Sequence, residues 1–219
     1  MALPARRRSW LILAAVVAVG AAASVVIRAL PREGQRVTLT PVVEAVLTDA
    51  GSPRVGAARP EVTVVVFTDY QCTICKATDP ALARLVAADP GVAVIYKDWP
   101  IRGALSQLAA RTALAAAYQG RNAQVHDALM AARGALSPAR IAEIAADAGA
   151  DPVRLAADQA AHAREIDAQL ARHGMQAFSL GLRGTPGYLV GPYLLNEGLD
   201  DRRLGHAVDK ARRVGPPRA

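Results

Sequence analysis

Cys72-Thr73-Ile74-Cys75 places both cysteines of the chain three residues apart. Two thiols at that spacing can close a disulfide or open one, because a thiolate attacks a disulfide sulfur through a mixed-disulfide intermediate. The pair opens a helical pattern directly after a strand-like run. Unpaired backbone N–H groups and the dipole at a helix start favour negative charge. Cys72 is therefore expected at the very start of the helix, exposed, with a stabilised thiolate and a lowered pKa. That suits an attacking nucleophile and a good leaving group. Cys75 falls about one turn in and underneath, where it can resolve a mixed disulfide by attacking Cys72.

Two blander uses of the cysteines compete. A structural zinc site needs about four ligands, and only these two thiols exist. His126, His162, His173 and His206 lie far off in sequence without ligand spacing, so no metal is expected and no histidine is given a role. Two inert buried cysteines would fit any helix, but the strand-then-CxxC-then-helix context favours the redox switch. A second feature is the turn Gly184-Thr185-Pro186 before a short strand, where a cis X-Pro bond fits. Beside the CxxC it would leave backbone groups free to pair with an extended substrate segment, which is capture by strand addition. An ordinary turn proline is the alternative.

The elements that must position these residues follow from pattern. Residues 28–60 are broken by Pro31, Gly34, Pro41, Gly51, Pro53, Gly56 and Pro60, which reads as a tether with one short helix near Val42–Leu47. Val62–Phe67 is a β-branched buried strand, and Val92–Asp98 is a second. Between them the CxxC helix reaches about Ala88, with Pro80 expected to kink it. From Gly103 to about Gly174 the chain is almost wholly helical. Gly120 stops one helix, and Asn122 is expected to cap the next. Ser137-Pro138 and Asp151-Pro152 start two more, the last reaching about Arg172. Met175–Leu182 reads as a separate short helix. Tyr188–Val190 and Tyr193–Asn196 are short strands, and Asp200–Arg213 is a final amphipathic helix.

These residues resemble a known family. Val62–Phe67 with Asp69-Tyr70-Gln71 and the CxxC is similar to the active-site segment of DsbA-like thiol:disulfide oxidoreductases. Tyr96-Lys97-Asp98-Trp99-Pro100, Ser106–Ala117, Tyr118-Gln119-Gly120, His126–Met130 and Gly184-Thr185-Pro186 fit as well, over about residues 60–213. The resemblance implies an α/β thioredoxin fold interrupted by an inserted all-helical domain. It implies that Cys72 attacks, Cys75 resolves, Pro186 is cis, and Gly184 and Thr185 bind substrate. Its organisation would be a signal or anchor segment (1–30), a linker (31–60), a first thioredoxin part (61–102), a helical insertion (103–174) and a second thioredoxin part (175–215).

Three positions depart from the family pattern. Thr73-Ile74 replaces the usual Pro followed by His or Tyr, so neither residue donates a ring N–H or hydroxyl to the Cys72 thiolate. Val66 stands where a buried acid usually relays protons for the inner cysteine. Asp69 and Lys97 are the remaining candidates, more simply surface or structural residues. Thr185 precedes the proline, as in isomerase- or reductase-like members. All three predict a milder oxidant than DsbA.

Composition narrows the setting. The chain has 219 residues, 26 Lys+Arg against 19 Asp+Glu, and 52% hydrophobic residues, which excludes general disorder. The net charge is +7, but only Lys76, Lys97 and Lys210 are lysines. The arginines interleave with acids and aromatics are 4%, so nucleic-acid binding is set aside. Arg6-Arg7-Arg8 precedes an apolar run from Trp10 to Ile27, 18 residues or about 27 Å as a helix, against a hydrocarbon core of ~30 Å. This predicts an N-terminal transmembrane anchor, or a signal segment cleaved near Ala21-Ala22-Ala23, with the bulk of the chain in the periplasm or another extracytoplasmic space. The expected partners are exported client proteins with cysteines, a membrane redox partner that recycles the pair, and the inner membrane. No cofactor is required. Disulfide introduction leads. Isomerase or reductase activity, and a binding or chaperone module with an idle CxxC, are the alternatives. No oligomerisation stalk is evident between Pro31 and Pro60.

Overall fold

The computed structural model describes residues 34–217 and, apart from them, residues 16, 17, 19 and 20, which are helical. The rest of the expected N-terminal address lies outside the described residues. No helix among the described residues is long and apolar enough to cross a membrane.

Six strands form one sheet: β1 (Gln35–Arg36), β2 (Arg54–Gly56), β3 (Val62–Thr68), β4 (Val92–Asp98), β5 (Gly187–Val190) and β6 (Tyr193–Leu195), in the order β1-β6-β5-β3-β4-β2. β3 and β4 are parallel, and every other pairing is antiparallel. The helices are α1 (Pro41–Leu47), α2 (Thr73–Ala88), α3 (Ala104–Ala115), α4 (Asn122–Ala131), α5 (Pro138–Asp147), α6 (Pro152–Ala161), α7 (Ala163–Ser179) and α8 (Asp201–Val214).

The unbroken apolar runs of β3 and β4 arise because both faces of the sheet are covered. Val62, Val64, Val66, Val92, Val94 and Tyr96 face α2 and α8 in one core. Val65, Phe67, Ile95 and Leu189 face the other way, packing with Val43 and Val46 of α1 and Ala177 of α7. This alternation decides what can reach the cysteines. Residues in register with Val66, namely Tyr96 and Tyr188, share the α2 side, while Lys97 pairs with Phe67. A third core lies within the helical segment between β4 and β5, built on Ala109, Ala113, Val125, Leu129, Ile141 and Ile144.

Several expectations are corrected. The supposed tether contributes two edge strands, because the open edges of β6 and β4 accept short extended segments that carry no period of their own. α2 runs from Thr73 to Ala88, as expected, with Pro80 inside it. The single helix expected from Pro152 to Arg172 breaks at His162 (φ −106°, ψ 15°), whose ring stacks on Tyr118 at 3.7 Å. α7 then passes straight through residues 174 and 175, so no separate helix begins at Met175. Asn122 does not cap α4; its Nδ2 donates to Ala113 O at 2.7 Å. The Ser137, Asp151 and Asp200 caps each accept the backbone N–H three residues on.

Candidate active site

β3 delivers the chain to the site through a tight turn tied by one carboxylate. Asp69 Oδ1 accepts from Gln71 N (2.7 Å) and Ser106 Oγ (2.7 Å), and Oδ2 accepts from Arg102 N (3.0 Å). Asp69 is buried, so its role is to fix the loop before Cys72 and to hold the 102–106 segment beside it. Gln71 Nε2 adds a bond to Arg102 O at 3.1 Å.

Cys72 is the N-cap of α2. Its Sγ accepts the N–H of Cys75 at 3.2 Å. Both cysteines are free thiols. Contrary to expectation, Cys72 is fully buried, because the Thr185-Pro186 turn lies against it: in its thiol form Sγ donates to Thr185 O at 3.3 Å. The Thr185-Pro186 bond is cis. Thr185 Oγ1 is itself buried and makes no hydrogen bond among the described residues in this dithiol form. Ile74 is half exposed in the first turn of α2, and Ile101 is similarly open beside Arg102.

Electrostatics split the two thiols. Cys72 is pulled down to about 5, chiefly by the thiol of Cys75 donating to it, against an opposing push from burial. The Cys75 N–H, the Thr185 hydroxyl and the Arg102 charge pull it further down. Cys75 is pushed far up, first by that same hydrogen bond and then by burial. The outer sulfur is therefore a thiolate at neutral pH and the inner one a thiol. The value for Cys72 lies between the ~3.5 of DsbA and the ~7 of thioredoxin. The Thr185 hydroxyl partly replaces the donor that Thr73-Ile74 lacks, a substitution that spacing along the chain could not reveal.

Val66 is buried and offers no acid, as its sequence position implied. Lys97 is not a surface residue. It is completely buried on the face of the sheet away from α2, with Nζ donating to Asp49 Oδ2 (2.7 Å) and Ser52 Oγ (3.2 Å). It ties the segment after α1 to β4 and does not face Cys75. Of the groups near Cys75, the Thr68 hydroxyl and the Asp69 backbone favour its thiolate. His126 and His173, to which the sequence assigns no role, are both buried and hydrogen-bonded. His173 is buried between Ser52 Oγ (2.9 Å) and Asp98 O (3.1 Å). His126 is buried between Tyr70 OH (2.9 Å) and Asp79 Oδ1 (3.2 Å). Gly184 lies in the turn before β5.

The family model for the DSBA-like thioredoxin domain matches residues 63–203. The chain belongs to that family. DsbA-like proteins are thiol-disulfide oxidoreductases that act on cysteine-bearing clients and are recycled by redox partners. The DsbA-like fold is shared with a thioredoxin-like oxidoreductase from Silicibacter pomeroyi, 36% identical, with 78% of this chain and 97% of that one covered and a TM-score of 0.74. It is also shared with a periplasmic thioredoxin-like protein from Salmonella enterica serovar Typhimurium, 32% identical, covering 80% and 99% at a TM-score of 0.71. Part of the chain is 34% identical over 86 residues to a Na(+)/H(+) antiporter NhaA 3 of Salinispora tropica. That match takes in 38% of this chain and spans only 13% of the antiporter's length.

Proposed function

We propose that the protein introduces disulfides into exported client proteins through the Cys72–Cys75 pair. The observation that carries this reading is the pull of Cys72 down to about 5 under the hydrogen bonds that the Cys75 thiol and backbone N–H donate to it. A stabilised thiolate favours the dithiol form, and a pair that prefers the dithiol form gives its disulfide away.

In the oxidised enzyme a client thiolate attacks Cys72 Sγ. The Cys72–Cys75 bond breaks and Cys75 leaves, taking up a proton. A mixed disulfide now joins client and Cys72. The client's second thiolate attacks its own disulfide-bonded sulfur, and Cys72 departs as a thiolate. Two electrons have passed from client to enzyme, and a membrane redox partner removes them. The extended backbone at Gly184-Thr185-Pro186 offers the client segment a strand edge, and Ile74 and Ile101 offer apolar contact. Splitting the exchange into two covalent steps is the usual gain of nucleophilic catalysis.

The chain is proposed to work outside the cytoplasm, held by the apolar segment 10–27 as an anchor or released after cleavage there. The periplasmic protein it is similar to supports that setting. Thr185 before the proline favours a second reading, in which the pair is kept reduced and isomerises or reduces client disulfides.

The test is trapping. Cys75→Ala removes the enzyme's own resolving thiol, so the Cys72 thiolate, attacking and breaking client disulfides, should accumulate as a mixed disulfide with exported proteins, visible as non-reducing gel shifts lost on dithiothreitol. Cys72→Ala should abolish both the shift and turnover. Unchanged client oxidation in Cys72→Ala would leave only the binding-module reading.

A further inference from the structure

We propose that Asp79, His126 and Asp127 form a binding site for a divalent first-row transition ion, with Zn2+ the best match to the donors. Asp79 lies on α2, one turn past Cys75, while His126 and Asp127 are adjacent on α4 of the helical insertion. One donor atom from each lies within 4.8 Å of the other two. Donors on a common tetrahedral Zn2+ sit roughly 3.4 Å apart, given bonds of ~2.0–2.2 Å. The pair His126 Nε2 to Asp79 Oδ1 is already at 3.2 Å. Only the Asp127 carboxylate must swing inward, and Asp127 is exposed on its helix.

The imidazole is held as a ligand would be. Its ring is fixed between Tyr96, at 4.5 Å between centroids, and Tyr70, at 5.5 Å. Nδ1 lies 2.9 Å from Tyr70 OH. With Nδ1–H donating to that oxygen, Nε2 donates its own proton to Asp79 Oδ1 in the metal-free protein, and an ion that displaces this proton would find the Nε2 lone pair turned toward the two carboxylates. Metal-binding histidines are commonly fixed through their second nitrogen in this way. Behind Tyr70 stands Asp98, 4% exposed, whose Oδ1 has no hydrogen-bond partner among the described residues. It is placed to take the Tyr70 hydroxyl proton, which completes a carboxylate–tyrosine–histidine support.

One further feature bears on access: His126 and Asp127 line a cavity of about 640 Å³ between the thioredoxin part and the insertion. One imidazole with two carboxylates suits Zn2+ better than the hard Mg2+ or Ca2+. Bound there, the ion would pin the CxxC helix to the insertion.

The experiment titrates ZnCl2 into the full chain in mild detergent, by calorimetry at pH 7. The CxxC is first oxidised to its disulfide, which removes the thiolates as competing ligands. One Zn2+ per chain is expected, together with a raised melting temperature. Asp127→Asn and Asp79→Asn should each weaken binding at least about ten-fold. Asp201→Asn, which breaks only an exposed pair with Arg84, should change nothing. Co2+ should give a visible d–d spectrum that Asp127→Asn removes. Because Asp127 is exposed, its variant keeps the fold, as its circular dichroism should show. Absence of Zn2+ binding below roughly 1 mM would overturn the site and leave His126 as an ion-paired structural residue. So would equal affinity in wild type and Asp127→Asn.

Discussion

Replacing Thr185 with Val removes one hydroxyl and leaves the shape of the turn nearly unchanged. In the dithiol form that hydroxyl is buried without a partner, and it favours the Cys72 thiolate. A hydrogen bond to a charged group contributes about 1.5–3 kcal/mol. At ~1.36 kcal/mol per pKa unit this is about one to two units. Cys72 should therefore titrate about one to two units higher in Thr185→Val than in the wild type, where it lies at about 5. Losing stabilisation of the dithiol form makes the pair more reducing, by about 30–60 mV at ~30 mV per 1.4 kcal/mol. Thr185→Ser restores the donor and should recover most of both shifts. The assay follows thiolate absorbance at 240 nm against pH, then equilibrates each variant with glutathione. An unchanged Cys72 titration in Thr185→Val would refute the claim that this hydroxyl stands in for the donor missing at Thr73-Ile74. Equal shifts in the Ser and Val variants would do the same.

Other consequences can be measured directly. Since Cys72 in the folded dithiol form sits at about 5 and an unfolded cysteine at ~8.5, its ionisation stabilises the reduced fold. That contribution is lost as pH falls through about 5 and reaches about 3 kcal/mol at pH 7. Above ~8.5 the raised Cys75 acts in the opposite direction. The reduced protein should therefore gain melting temperature over the oxidised one between pH 5 and 8, and a pH-independent gap would contradict this. Asp49→Ala leaves Lys97 buried with its charge unpaired, and should cost about 3–5 kcal/mol in urea denaturation. A loss below about 1 kcal/mol would show that the pair does not hold the α1 segment to β4. Asp49 is also pulled down to about 2, against an opposing push from burial, by its bonds to Lys97, Gly51 and Ser52. Its stabilisation should therefore persist through mild acid and vanish only as pH falls from ~4 toward 2. An acid-unfolding midpoint unaffected by Asp49→Asn would contradict that.

What could be read from the chain is what depends on neighbours in sequence. Val62–Thr68 and Val92–Asp98 announce buried strands by composition, and Ser137, Asp151 and Asp200 announce helix starts because an N-cap needs only its own first turn. The CxxC carried its placement for the same reason. What was hidden depends on residues far apart. β1 and β2 are two and three residues long, too short for a period, and exist because the sheet has edges to fill. Whether Lys97 was a surface or a structural residue stayed open because Asp49, its partner, is 48 residues away. His126 looked idle because Tyr70 and Asp79 reach it from across the fold. The burial of Cys72 follows from a turn 113 residues downstream.

The most direct test of the account is the reduction potential of the Cys72–Cys75 pair, measured by equilibration with glutathione. With Cys72 pulled to about 5, between the ~3.5 of DsbA (~−120 mV) and the ~7 of thioredoxin (~−270 mV), the potential is expected to fall between theirs. A value in that region supports a disulfide donor milder than DsbA. A value at or below ~−270 mV, or no reversible thiol–disulfide equilibrium at all, would contradict it.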